Sequence, residues 1–588
     1  MPIYGEIHRS TYYDSVALML AQREARDRPG VEDVGIVMAT DANKEILRAG
    51  GLEFAGLTGA RADDLAIVAR AGSETEAQAA AAFAVEVLTR RRVSTAGDAY
   101  RPKTVPSAAR ALPEAAIALI SVPGRFAHSV AREALDAGLH VLLFSDNVPI
   151  EHEIALKARS RELGLLMMGP DCGTAIIGGV ALGFANRVRA GRIGLVGAAG
   201  TGLQEVTSLI HRLGGGITHA IGTGGRDLSS AVGGVTMLAG LRALELDPGT
   251  DVIVLVSKPP APEVAGKILA ASAACSKPVV AAFVGASVEP TGAVEGAATL
   301  EEAACRAVQL AYGTEAALPP MRALPEHEAG RLSEGQRYLR GLFSGGTLCY
   351  EALVLLRPHL GPIYSNSPAD PAEALEPVTR SREHTVIDMG GDEFTQGRLH
   401  PMLDPTLRLA RLRQEAADTQ TAVVLLDVVL GYAAHPDPAG ALAPVVREVR
   451  EQASREGRHL SVVGSVCGTD DDPQGAGAQR AALVEAGVLV GESNAQAVRL
   501  ARLMAETRGA REARPAQKVV AASAAAPVWP EIGPVSALLG KRPAVINVGL
   551  ELFAESLQAQ GVPVISVDWQ PPAGGKQHLL DLLDKLEG

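Results

Sequence analysis

Apolar residues in this chain fall mostly in short unbroken runs separated by helical stretches, not in strict alternation. Residues 1–103 differ. A helical pattern from about Ser15 to Arg28 precedes the strand patterns VEDVGIVMA and DDLAIVARAG and the alanine-rich helix ETEAQAAAAFAVEVLTRR. ATDANKEILRAGG reads as a connecting helix closed by Gly50 and Gly51. The order predicts a small α+β unit of the βαββαβ kind.

From residue 104 the rhythm becomes strand, helix, strand. Across 104–190, AAIALISV, HVLLFSD and LGLLMMGPDCGT alternate with helices after Pro123 and from Pro149. Apolar runs without alternation predict strands covered on both faces, the mark of a parallel sheet. A second α/β unit, 191–315, opens at RIGLVGAAGTGLQE and runs through ITHAIGTGG, DVIVLVSKPP and KPVVAAFVG. The Pro- and Glu-rich residues 316–335 form a linker. Residues 336–512 then repeat the series. Gly200-Thr201-Gly202 with Glu205 corresponds to Gly346-Thr347-Leu348 with Glu351, IGTGGRDL to DMGGDEFT, and DVIVLVSK to AVVLLDVV. After a second linker, 513–540, residues 541–588 carry a clean strand–helix–strand. That piece is too short to hold a core and is expected to dock on the main body or on a partner. The fold class is multidomain α/β.

Composition narrows the function. The 588 residues are 47% hydrophobic, 21% charged and 3% aromatic, with a net charge of −12. This balance argues against nucleic acid or an anionic membrane as the main partner. No apolar run approaches the roughly 18 residues of a membrane span, and the start has no secretory pattern. Five scattered cysteines form no CxxC, so neither a disulfide frame nor a zinc site is expected and a reduced cytoplasm fits.

Four stretches have the form of a strand ending in glycine and running into a helix: GAAGTGLQE, GTGGRDLSS, SGGTLCYE and MGGDEFTQG. Such a turn presents unpaired backbone N–H groups at the positive end of the helix dipole, a setting for phosphate. Each is equally readable as a capped turn. One helix end contributes about 0.3–2 kcal/mol toward an anion, whereas a millimolar site needs about 4 kcal/mol. Several loops must converge. The candidate phosphate ligands are Gly200, Thr201, Gly202, Gly224, Gly225, Arg226, Gly345, Gly346, Thr347, Gly390 and Gly391. Lys258 after its strand, and Cys467 and Asp470 in SVCGTDDDPQG, are candidate substrate contacts; a surface lysine and an acidic turn are the plain alternatives. His219, directly before the 222–230 loop, is a candidate catalytic group or a structural histidine. There is no GxxxxGK[ST], HExxH or GxSxG, and no metal is expected.

GLLMMGPDCGTAI, GRIGLVGAAGTGLQE, HAIGTGGRDLS and KPVVAAFVG resemble the α subunit of succinyl-CoA synthetase over roughly 115–310, and the second copy resembles the ligase half of its β subunit. YYDSVALM, DVGIVMATDANKEIL and SVCGTDDDPQ add a resemblance to the FdrA family of acyl-CoA-synthetase-like proteins, some of them subunits of oxamate carbamoyltransferase in purine and allantoin breakdown. The resemblance implies a ferredoxin-like or ACT-like unit at 1–103, a Rossmann-like CoA-binding-type domain at 104–190, and flavodoxin-like synthetase domains at 191–315 and 336–512. It implies that Gly200 and Thr201 cradle a phosphoryl group, that Glu205 orients a phosphorylated histidine, and that Gly345, Gly346 and Thr347 face them. The terminal PAVINVGLELFAESLQAQGVPVISVDW resembles the start of a protein that accompanies FdrA, implying a hetero-oligomer with neighbouring subunits. Three features depart from the synthetases. No histidine lies between His219 and His327, the first Rossmann loop that holds the CoA nucleotide is missing with the ferredoxin-like unit in its place, and no ATP-grasp domain is recognisable. The leading expectation is therefore a carbamoyl- or acyl-phosphate-linked transferase subunit using phosphate or carbamoyl phosphate. An ADP-forming acyl-CoA synthetase, with CoA and ATP or ADP, and a non-catalytic scaffold are the alternatives.

Overall fold

A computed structural model describes residues 1–9, 11, 13, 15–39, 43–44, 47–48, 50–61, 64–94, 101–320, 325–395, 399–506, 517–519 and 529–571. The connecting helix expected between residues 40 and 51 lies largely outside the described residues. At the N-terminus, Ile3–His8 and Val31–Met38 pair antiparallel on either side of Leu65–Ala71. Helices Ser15–Arg26 and Glu74–Ser94 pack on this sheet, with Ala77, Ala80, Ala81 and Ala84 letting the second approach closely. Ile3–His8 has little apolar signal because it is a half-exposed edge strand.

The next sheet is built from both ends of the chain. Its strands, all parallel, run Val564–Val567, Ala544–Val548, Ala115–Ile120, His140–Leu143, Met167–Met168. The C-terminal stretch therefore does not rest on a surface: Ala544–Val548 is wholly buried and pairs Val548 with Ile120. With these strands placed first, the order is second-first-third-fourth-fifth, and the turn at Gly549 takes the place of the first Rossmann loop. Residues 104–190 do not close on themselves either. Strands Thr174–Ile177 and Val180–Gly183 form a hairpin, turned through Gly178 and Gly179 at positive φ, that joins the following sheet.

That sheet has seven strands; its parallel part runs Ile217–Gly222, Ala190–Gly197, Val252–Ser257, Val279–Phe283, Val294–Gly296. The five-stranded sheet of the second half runs Thr385–Asp388, Tyr338–Phe343, Thr421–Val429, Ser461–Cys467, Leu489–Gly491. Both follow the second-first-third-fourth-fifth order of a doubly wound sheet. The strands are mostly apolar because helices cover both faces, with Asp427, Arg340 and His219 among the buried exceptions.

The halves meet through their first and last helices. Glu205, in helix Gly200–Arg212, accepts the Asn494 N–H at 2.9 Å, at the start of the last helix of the other half. Glu351, in helix Gly346–Leu360, accepts the Leu300 N–H at 2.8 Å at the start of the first half's last helix, and Asn494 Nδ2 at 2.8 Å. Each half thus caps the other.

Because a central strand comes from the C-terminus, a chain ending at residue 540 is expected to lose the 115–168 sheet altogether. Thermal unfolding and solubility check this: a peripheral docking piece would leave the main transition within a few degrees of the full chain.

Candidate functional site

Glycine-led turns at the ends of the seven-stranded sheet and of the second half's sheet open onto one cavity of about 1850 Å³. Gly200 and Thr201, Gly224, Gly225 and Arg226, Lys258, Gly346 and Thr347, and Gly390 and Gly391 all line it. Gly202, Gly345, Glu205, His219, Cys467 and Asp470 do not.

The first loop is open. Helix Gly200–Arg212 begins after Ala199, which makes no side-chain cap, so its leading N–H groups have no intrahelical acceptor. A Cβ at Gly200 would meet only Thr174 Oγ1, at 3.3 Å. The second half's equivalent is already filled. Asp427 accepts Ser344 N at 2.8 Å, Ser344 Oγ at 3.0 Å and Gly345 N at 2.8 Å, and Arg408 holds Asp427 at 2.8 Å. Thr347 N–H donates to Thr201 Oγ1 at 3.2 Å. Of the expected facing cradle, Gly345 and Thr347 have thus given their N–H groups to the protein itself. In the first half Val256 stands where Asp427 stands in the second, opposite Gly197, and among the described residues no carboxylate closes that loop.

A buried lysine holds the 222–234 loop. Lys157, 1% exposed, donates to Thr223 O at 2.8 Å, Asp227 Oδ1 at 2.7 Å and Thr236 Oγ1 at 3.0 Å, satisfying all three ammonium protons. Asp227 in turn accepts Thr236 N and Met237 N at the start of helix Val235–Leu246. Gly224 sits at φ +86°, where a Cβ would lie 2.3 Å from Pro170 O; only glycine fits. Arg226 is spoken for: it donates to Val148 O at 2.7 Å and pairs with Glu153 at 2.9 Å, so it braces the loop more than it awaits a ligand. Burial raises the Glu153 carboxyl.

Four expected site residues have structural roles. Glu205 is the buried interdomain cap described above, raised by burial, and among the described residues it bonds to Asn494 and to no histidine. His219 Nδ1 accepts the Gly178 N–H at 3.1 Å in the hairpin turn, and burial lowers its pKa. Cys467 is fully covered, its thiol pushed well up by burial and then by Glu205. Asp470 accepts Gly477 N at 2.6 Å on the outer surface; its neighbour Asp472 ties Asn186 Nδ2 and Arg187 N to the second half.

The cavity gathers groups that sequence reasoning passed over. Ser257, 1% exposed, has a side-chain oxygen without a hydrogen-bond partner among the described residues. Asp388 accepts Gly390 N at 2.9 Å; burial pushes it up to about 6, with Lys258 opposing. Asp171 is exposed and opens onto the cavity, with protein crowded around its carboxyl. Burial, then Asp146, raise it to about 6. His400 also lines the cavity. Asp427 carried a legible sign, a lone carboxylate in the apolar run TAVVLLDVV, since a buried Asp implies a partner. Lys157 and His400 carried none.

Doubly wound sheets meeting at one cavity make this a multidomain α/β protein of the CoA-ligase and CoA-binding kind. Family models agree: "CoA binding domain" matches residues 188–285, "CoA-ligase" residues 342–504, and "AllF, heavy metal-associated domain" residues 1–104. The CoA-binding match falls on the seven-stranded unit; the family resemblance implies a domain of that type at 104–190. The chain belongs to the family of the uncharacterized protein YahF of Escherichia coli (strain K12), to which it is 43% identical over 504 residues, 84% of this chain and 97% of YahF. It is 29% identical to the succinate–CoA ligase [ADP-forming] subunit alpha 2 of Archaeoglobus fulgidus over 35% of this chain and 74% of that one. A dinucleotide forming acetyl-coenzyme A synthetase 1 of Ca. Korarchaeum cryptofilum, in complex with phosphate and ADP, shares 15% identity at a TM-score of 0.27, covering 67% of this chain and 83% of that one. Residues 1–104 contain no cysteine, so the thiolates that soft heavy metals select are lacking there. Among the described residues no group of three or more His, Cys, Asp or Glu could hold a metal ion, and no helix is long and apolar enough to cross a membrane.

Two outcomes follow from this site. Lys157→Met leaves Asp227 buried without its counter-charge and is expected to cost about 3–5 kcal/mol; denaturant unfolding against the parent measures it, and a loss below about 1 kcal/mol would contradict the role given to Lys157. Asp388 has a folded pKa above the ordinary carboxyl value, so its contribution is present at low pH and lost as pH rises through about 6. Asp388→Asn should therefore gain stability relative to the parent between pH 4 and 7.5, read as the difference in Tm at the two ends.

Proposed function

We propose that this chain binds phosphate at the open Gly200–Thr201 turn and transfers a carbamoyl or other acyl group to or from it, as a subunit of the oxamate-carbamoyltransferase type. The supporting observation is the asymmetry of the two halves. One glycine turn is closed by Asp427, while its counterpart is uncapped, faces the cavity and has Ser257 and Lys258 at the end of a neighbouring strand. A phosphate there would accept from the leading N–H groups, satisfy the orphaned Ser257 hydroxyl and balance the Lys258 ammonium. In the transfer, a phosphate oxygen forms a bond to the carbonyl carbon, the bond from that carbon to its donor atom breaks, and the departing atom takes a proton. Backbone donors already pointed at the developing charge stabilise it without reorganisation, and a cavity holding both reactants removes the cost of bringing them together. The match of residues 1–104 to the AllF domain supports a role in allantoin-related breakdown.

A second reading, an ADP-forming acyl-CoA ligase working with a nucleotide-binding partner, is favoured by the family models over 188–285 and 342–504. One contact weighs against CoA at the Gly549 turn: the Leu550 N–H, a donor a bound pyrophosphate would use, already donates to Ser121 Oγ at 2.8 Å.

Phosphate and carbamoyl phosphate are expected to raise the Tm of the chain, alone or with its partner subunits, while CoA does not. Lys258→Met should weaken phosphate binding about tenfold, the loss of about 1.4 kcal/mol, measured by calorimetry. CoA-dependent ATP consumption, with no protection by phosphate, would decide for the ligase.

A further inference from the structure

His400 is the cavity residue whose chemistry the preceding reading leaves unused. Its backbone carbonyl accepts Leu403 N at 2.8 Å and Asp404 N at 3.1 Å, so it heads a tight turn. Arg23 of the N-terminal domain fastens that turn by donating to Leu403 O at 3.2 Å. Within the turn, His400 Nδ1 accepts the Met402 N–H at 3.2 Å. The ring therefore carries its proton on Nε2, and Nε2 lies beside Gly390, where a Cβ would come within 2.5 Å. Both residues line the cavity, and among the described residues Nε2 meets no acceptor. Burial lowers the imidazole pKa to about 4, so the ring is neutral at pH 7.

This tautomer settles which chemistry the ring can perform. A phosphoryl carrier needs a lone pair on the attacking nitrogen. Freeing Nε2 would put the proton on Nδ1, directly against the Met402 N–H. As a neutral N–H donor, in contrast, the ring is ready without rearrangement, and a neutral imidazole can polarise a carbonyl. We propose that His400 is a catalytic residue that donates its Nε2–H to the carbonyl oxygen of the carbamoyl or acyl group, while phosphate occupies the Gly200–Thr201 turn. This rests on the reading above and adds the recognition of the group transferred.

The test compares carbamoyl phosphate with inorganic phosphate, since only the first has a carbonyl. In calorimetry on the full chain, His400→Phe is expected to weaken carbamoyl phosphate about tenfold and leave phosphate unchanged, and His400→Gln, which keeps an N–H, should recover most of the loss. Spectra of ¹⁵N-histidine-labelled chain at pH 7 should show the neutral Nε2–H form. In turnover, loss of one such donor should lower kcat about 10²–10³-fold with the KM for phosphate unchanged. Equal binding by His400→Phe and the parent overturns the proposal, as does an equal loss for both ligands, or phosphate found covalently on His400. If the parent binds neither ligand, the phosphate reading fails and this inference with it. Normal phosphate binding together with carbamoyl phosphate binding that is indifferent to His400 removes the inference alone.

Discussion

Two buried glutamates hold this molecule in the one arrangement that makes its cavity. Glu205 and Glu351 each reach from the first helix of one half to the leading N–H of the last helix of the other. A buried carboxylate is tolerable only where donors surround it. Even so, burial raises Glu351 to about 7 and raises Glu205 in the same direction. Because the same helices begin at Gly200 and Gly346, the caps fix the two glycine turns opposite one another, close enough for Thr347 to donate to Thr201.

The pair is symmetric in topology and unequal in chemistry. Both halves order their strands alike and start a helix from a glycine turn, yet Asp427 fills one turn and Val256 leaves the other open. A carboxylate is the protein's own anion, and where it is built in, a second anion is both unneeded and repelled. The duplication therefore yields one open glycine turn and one closed by its own carboxylate, not two equivalent turns.

The remaining units complete the walls. The sheet joining residues 115–168 to the C-terminal strands contributes Ser121, Asp146 and Leu550 to the cavity, and Lys157 from its helix Ile150–Leu163 freezes the neighbouring 222–234 loop. The N-terminal domain contributes Met19 and Gln22, and through Arg23 it steadies the turn that presents His400.

Apolar runs, glycine turns and their repetition were legible along the chain because doubly wound sheets impose them locally: strands covered on both faces are mostly apolar, and a tight strand-to-helix turn favours glycine. Those patterns determined the α/β class, the repeat of the two halves and the turns that line the cavity, Gly200, Gly224, Gly346 and Gly390 among them. What the C-terminal strand pairs with was not legible, since β-pairing across more than four hundred residues leaves no local trace. Roles that depend on what a side chain faces were equally hidden. Glu205, His219 and Cys467 sit in suggestive stretches but point into protein, while Lys157 sits in a plain one and holds the 222–234 loop, and His400 in another lines the cavity. A sequence specifies which residues are charged and which turns can bend; only the packed halves determine which charges are already paired and which donor is left for a ligand.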